Sequence, residues 1–188
     1  MRSSVNHFKS YLGFILIVCL TTVNGYRACG QLRSVTNRAF RPGEVLDYRI
    51  HYGLIDAGEA RLEVTETMYN VHDRLSYHII GSGKTLGAFD WFFKVRDRYE
   101  SYVDKDALIP WIFIRRVEEG GYRKKQDVNF DHFKKTATSE KATIPVPENV
   151  QDLISAFYYA RNLDFANAKP GDIFPIKAYL DEIGRAHV

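Results

Sequence analysis

Leu46 to Val64, LDYRIHYGLIDAGEARLEV, decides the fold class. Leu46, Tyr48, Ile50 and Tyr52 alternate with Asp47, Arg49 and His51. That two-residue period places one set of side chains on each face of a strand. Gly53 and Asp56-Ala57-Gly58 interrupt it as a turn, and it resumes with Ala60, Leu62 and Val64 on one side and Glu59, Arg61 and Glu63 on the other. The pattern is that of an antiparallel hairpin with one buried and one wet face.

The same grammar extends outward. Asn70 to Asp73 reads as a turn, followed by Tyr77 and Ile79 as far as Gly81. Phe93, Val95, Tyr99 and Val103 share a face opposite Lys94, Arg96, Arg98 and Glu100. Asp104 to Asp106 turns the chain, Pro110 opens a strand through Val117, Glu119-Gly120-Gly121 is a hairpin turn, and Tyr122 to Phe130 returns. Asp131-His132 leads into Lys134 to Lys141, and Ile173 to Tyr179, after the turn Lys169-Pro170-Gly171-Asp172, reads as a last strand. About eight strands follow one another with no crossover helix, which excludes a parallel sheet.

One stretch breaks the rule. In Gln151 to Asn162, QDLISAFYYARN, residues Leu153, Ala156, Phe157 and Ala160 recur at helical spacing, with Ile154 and Tyr158 widening the apolar face. Asn149 stands at the expected N-cap, with Asp152 three residues on to answer it. The expected fold is mainly β (α+β): a curved antiparallel sheet or open half-barrel with this helix on its concave face, where Leu153 and Phe157 pack against Leu62, Ile79, Val95 and Tyr99.

Residues 1–25 have the form of an export signal: Arg2 and Lys9, then the apolar run Tyr11 to Leu20, then Val23-Asn24-Gly25 as a cleavage site. An uncleaved inner-membrane anchor formed by residues 11–23 is the alternative; a lipoprotein site fits poorly, since Cys29 follows Arg27-Ala28, where the arginine is out of place, and Cys19 follows Ile17-Val18 with no small residue before it. Residues 26–43 read as a linker ending in Arg41-Pro42-Gly43, and residues 44–181 as a single β domain. The last seven residues, Glu182 to Val188, have the form of a translated sequencing adapter. On that reading the domain is incomplete at its C-terminus.

Hydrophobic residues make up 45% of the chain and aromatics 14%, enough for one substantial core rich in strand-favouring rings. The net charge of +3 drops to +1 without residues 1–25, which hold two cations and no acid. So small an excess argues against nucleic acid held by bulk charge.

No motif carries a reaction. Gly81-Ser82-Gly83-Lys84-Thr85 lacks the first glycine of a phosphate loop, since position 78 is His, and reads as a flexible turn. His51, His72, His78 and His132 are scattered and read as turn or surface histidines, and Asp104-Lys105-Asp106 lacks the further ligands of a calcium loop. No catalytic, cofactor-binding or metal-binding residue is assigned. The aromatics give the functional hint: Trp91, Phe93, Trp111, Phe113 and Phe157 are candidates to line an apolar groove for a lipid-like ligand.

Several short motifs together resemble the bacterial exported family called domain of unknown function 3108. They are Pro42-Gly43-Glu44, Tyr52-Gly53-Leu54 with Ala57-Gly58, Asp97-Arg98-Tyr99 with Ser101, Pro110, and Asp152-Leu153 with Ser155-Ala156-Phe157-Tyr158 and Arg161. The resemblance implies a place in the cell envelope, periplasmic or outer-membrane-associated, and a fold similar to periplasmic lipoprotein carriers. It implies no activity. Three functions follow as expectations: a non-catalytic envelope protein binding a lipid-like ligand, an envelope enzyme completed by C-terminal residues beyond Asp181, or a structural partner of another envelope protein.

Overall fold

The computed structural model describes residues 31–180, all but the first of which belong to the compact unit Leu32–Val188. The export signal and the adapter-like tail lie outside the described residues. Eight strands form one antiparallel sheet in strict sequence order: β1 (Val45–Tyr52), β2 (Ile55–Val71), β3 (Arg74–Thr85), β4 (Arg96–Asp104), β5 (Pro110–Glu119), β6 (Tyr122–Asp131), β7 (Thr136–Ser139) and β8 (Thr143–Pro145). The sheet is open, since β1 and β8 are not paired with each other. Two short helices accompany it, α1 (Gly87–Phe92) and α2 (Leu153–Ala160).

Turn chemistry sets the register. The β2–β3 hairpin closes through His72 and Asp73, both with positive φ (53° and 60°), and the β5–β6 hairpin through Gly120 and Gly121. Two-residue turns of this left-handed kind match the twist of the strands they join. The register aligns Val64, Ile79, Ser101, Phe113 and Val128 in a single row across β2 to β6. All five are buried, and the row is the floor of the core.

The helix α2 sits on that floor, but on a different face from the one its periodicity indicates. Ile154, Ser155 and Tyr158 are buried, whereas Leu153 and Phe157 are about half exposed. The cap explains the rotation. Asp152, not Asn149, is the N-cap: its carboxylate accepts from the Ser155 amide at 2.8 Å, and the Ser155 hydroxyl accepts from the Asp152 amide at 2.8 Å. Starting the helix there turns Ile154 toward the sheet. Asn149 takes a positive φ of 57° in the approach instead.

Glycine at position 81 makes the contact fit, because a Cβ there would come within 2.7 Å of Ile154 Cδ1. Gly81 to Thr85 is therefore the end of strand β3 and not a flexible turn. Tyr158 meets Phe40 edge-on, with ring centroids 4.8 Å apart, and Phe40 in turn meets Tyr77.

Ile173 to Tyr179 does not join the sheet. The segment passes the start of α2, exchanging backbone hydrogen bonds with Gln151 from Lys177 and Tyr179, and Tyr179 packs edge-on against Phe130. The eighth strand is Thr143–Pro145, which the alternation of three residues between a serine turn and a proline was too short to reveal.

Candidate functional site

The face of the sheet opposite α2 holds a trough of about 1070 Å³. Two cross-strand rows build it. One runs through Asp47, Arg61, Ser82, Arg98, Arg116 and Lys125 on β1 to β6. The other runs through Arg49, Glu59, Lys84 and Arg96, with Glu118 and Arg123 continuing it on β5 and β6. Between the rows, Ala60, Gly83 and Val117 contribute backbone to the floor. Alternation along each strand sends these charged side chains to the wet face.

The two rows carry eight arginines and lysines against three acids. Arg98 stands directly opposite Arg116 across β4 and β5. Like charges in that relation destabilise a sheet pair unless something compensates. Here acids within the rows and beside them do so. Arg98 donates through Nε to Glu100 at 2.8 Å, Arg116 pairs with Asp127, Arg61 with Asp47 at 3.3 Å, Lys84 with Glu59 at 2.8 Å, and Arg96 with Asp90 at 2.6 Å. The hydrogen bond from Arg96 holds the Asp90 carboxyl below its usual range, and that from Lys84 does the same for Glu59.

These pairs are largely solvated, so each contributes little to stability. They also leave donors over: among the described residues, Arg98 uses only Nε, and Lys125 makes no ion pair. Such a surface can hold closely spaced anionic oxygens without taking apart the sheet beneath it.

Deeper chemistry is structural. The Asp104 carboxylate accepts from Arg74, from Trp111 Nε1 at 3.1 Å, and from the amides of Asp106 and Ala107, fixing the loop between β4 and β5. Burial works against its ionisation, but those donors hold its pKa below the usual range. His132 is buried, donates to the Pro110 carbonyl at 2.7 Å, and is depressed by burial; His78 is buried too, stacked on Tyr102 and bonded to Glu100 at 2.7 Å. Neither is the surface histidine the sequence implied, since each has found a neighbour whose ring shields it. Among the described residues, no three His, Cys, Asp or Glu side chains converge as a metal cage.

The five aromatics expected in one groove do not share a surface. Trp111 and Phe113 are 1% and 3% exposed, and Trp111 is locked by its bond to Asp104 and by contact with His132. Phe157 lies half exposed on α2. Trp91 and Phe93 belong to α1 and its end, at 81% and 53% exposed. Around them stand Phe92 and the tip of the β1–β2 hairpin, Tyr52, Leu54 and Ile55, all exposed, with Tyr52 meeting Phe89 edge-on at 6.2 Å. This aromatic end adjoins the trough, since Arg96 of the trough grips Asp90 of α1 through two nitrogens and the Thr85 hydroxyl donates to Asp90 at 2.7 Å.

No helix among the described residues is long and apolar enough to cross a membrane. No curated protein and no solved structure matches the chain. A family model described as "Protein of unknown function (DUF3108)" matches residues 47–186, three quarters of the chain, and the protein belongs to that family.

Proposed function

We propose that this protein is an exported, non-catalytic component of the cell envelope that binds an anionic ligand, one presenting several phosphate, sulfate or carboxylate groups, in the trough. The observation that carries the reading is the facing pair Arg98 and Arg116 with Arg61 and Lys125 in the same row. Four cations in line across five strands extend over roughly 19 Å at ordinary strand spacing. That length suits a row of anionic groups better than a single ion.

The two rows contain no aromatic side chain, and Tyr48 is the single ring among the residues that line the trough. A single-stranded nucleic acid would be expected to stack its bases on such side chains, so an anionic glycan or headgroup array fits better. The non-catalytic part rests on the buried carboxylates, Asp104 and Asp152, both committed to holding loop and helix. Export rests on the form of residues 1–25.

The test is calorimetric titration of the protein with a sulfated oligosaccharide and with inorganic tripolyphosphate at low and moderate salt. Saturable binding that weakens with salt and is lost in Arg98→Glu/Arg116→Glu supports the trough. Equal binding by that variant, or none by the parent protein, overturns it.

A further inference from the structure

We propose that this protein forms a two-fold dimer in which strand β1 pairs antiparallel with β1 of a second copy, joining two sheets into one. The inference goes beyond the anionic-ligand reading and does not rest on it.

The two edges of the sheet differ. β8 is three residues long and ends in Pro145, a short edge of the kind that resists pairing. β1 is 8 residues long and holds neither proline nor lysine. No strand among the described residues covers its outer side. The Val64 amide donates to the Glu44 carbonyl at 2.9 Å, so the Glu44 carbonyl faces β2. Backbone groups alternate in direction along an antiparallel ladder. Leu46 and Tyr48 therefore turn theirs toward β2, and Val45, Asp47 and Arg49 turn theirs outward.

Charge selects the occupant and the register. Outward residues must meet outward residues, so a self-pairing of the middle of β1 centres on Asp47, Tyr48 or Arg49. Centring on Asp47 or on Arg49 sets that residue against itself, and like charges directly opposite are unfavourable. Centring on Tyr48 sets Asp47 of each copy opposite Arg49 of the other, twice. Signs then alternate through the join, from Arg61 and Asp47 of one copy to Arg49, Glu59 and Lys84 of the other. Arg49 already holds Asp56 through Nη1, and Asp47 meets Arg61 through Oδ1. Both pairs are exposed, and the remaining guanidinium nitrogens and Oδ2 have no partner among the described residues.

On the other face, the same register lays Leu46 against Ile50 and Tyr48 against its own copy. Tyr48 and Ile50 are 44% and 54% exposed, and the pairing would cover them. The bulge between Ile50 and His51 falls at the end of this paired stretch and does not interrupt it. A strand that complements itself in backbone direction, charge and apolar face is what an isologous contact requires.

Sedimentation velocity of the full chain over a range of concentrations should show a monomer–dimer equilibrium. Asp47→Arg and, separately, Arg49→Asp should each weaken it by about tenfold or more, since like charges then face one another twice. Asp47→Arg combined with Arg49→Asp should dimerise more tightly than either single variant, a rescue that damage to the fold would not give. The register is read by cross-linking in a Cys19→Ser/Cys29→Ser background. Under mild oxidation Tyr48→Cys should cross-link to its own copy, because facing Cα atoms at such a position lie about 4.5 Å apart. Asp47→Cys and Arg49→Cys should cross-link far less. A monomer at every concentration, a dimer indifferent to both charge reversals, a double variant no tighter than the single ones, or equal cross-linking at all three positions overturns the proposal.

Discussion

The hydroxyl of Ser101, in the centre of strand β4, donates to the carboxylate of Asp152 at 2.6 Å, and both residues are fully buried. One hydrogen bond thus joins the middle of the sheet to the N-cap of α2. The same carboxylate caps the helix through Ser155. At the other end of the helix Arg161 grips Glu44 through two nitrogens, at 2.6 and 2.9 Å, and reaches the Ala39 carbonyl. The helix is short at 8 residues, too short to be stable by itself. These ties at its two ends fix where it lies.

A pH dependence follows from Asp152. Burial pushes its carboxyl up to about 6, with the bonds from Ser101 and Ser155 only partly offsetting that. In the unfolded chain the same group titrates near its ordinary value of about 3.9. The folded state therefore holds a proton that the unfolded state releases first. Stability from this group is greatest below about pH 4, falls as pH rises toward 6, and is level above. The full swing is on the order of 3 kcal/mol. Urea unfolding of the parent and of Asp152→Asn at pH 5 and pH 7.5 checks it. The parent should lose more stability than the variant over that interval, and an equal loss in both would remove Asp152 as the cause.

Asp104 behaves in the opposite sense. Its carboxylate is held below its usual range by Arg74, Trp111 and two amides despite burial. It supports the fold above the ordinary carboxylate range, and that support is lost as pH falls through its depressed value. Asp104→Ala leaves several buried donors without an acceptor and should cost about 3–5 kcal/mol. Because Trp111 loses its partner, a red shift in its emission, read in a Trp91→Phe background, should accompany the loss.

The sheet was legible in the sequence because its two-residue period is written in nearly every strand, and the turns at Asn70–Asp73 and Glu119–Gly121 are spelled in the residues that such turns need. Helix α2 was legible as a helix, but not its buried face. The apolar positions Leu153, Ala156, Phe157 and Ala160 satisfy the period as well as Ile154 and Tyr158 do, and it takes tertiary contacts, the Ser101 hydroxyl on the Asp152 cap and the space left by Gly81 for Ile154, to select between the two faces. The trough was hidden for a related reason. Arg61, Arg98, Arg116 and Lys125 could each be placed on a wet face, but bringing them into one row needs the register between five strands, which no single strand encodes. The motifs Glu44, Ser101, Asp152, Ser155 and Arg161, which gave the family resemblance, turn out to be the residues that tie the helix in place. What they report is architecture.

Arg161 and Glu44 make a prediction about that tie. The pair is mostly shielded, at 24% and 18% side-chain exposure, and Arg161 also lies over the Tyr158 ring at 5.1 Å. Arg161→Ala should cost about 1–3 kcal/mol, more than an exposed pair would. Arg161→Lys should recover little, because a single ammonium cannot span both carboxylate oxygens and the Ala39 carbonyl. A lysine variant as stable as the parent in chemical denaturation would show that charge alone suffices.

The packing of α2 against β3 gives the sharpest test of the helix's orientation. Ile154 is 6% exposed and Phe157 is 41% exposed, although the larger ring would be expected to dominate if periodicity alone chose the buried face. Ile154→Ala should cost about 2–5 kcal/mol as a core truncation, while Phe157→Ala should cost about 1 kcal/mol, well under the value for a buried ring. Gly81→Ala adds a methyl group that would sit 2.7 Å from Ile154 Cδ1 and 3.1 Å from Leu62 Cδ2, both at the ends of side chains that can move. It should cost about 1–3 kcal/mol through overpacking. Because the clash is with one methyl group, Ile154→Val combined with Gly81→Ala should be more stable than the sum of the two single losses, a coupling that a double-mutant cycle measures directly. Strict additivity of the two changes, or a larger loss from Phe157→Ala than from Ile154→Ala, would place the other face of the helix against the sheet.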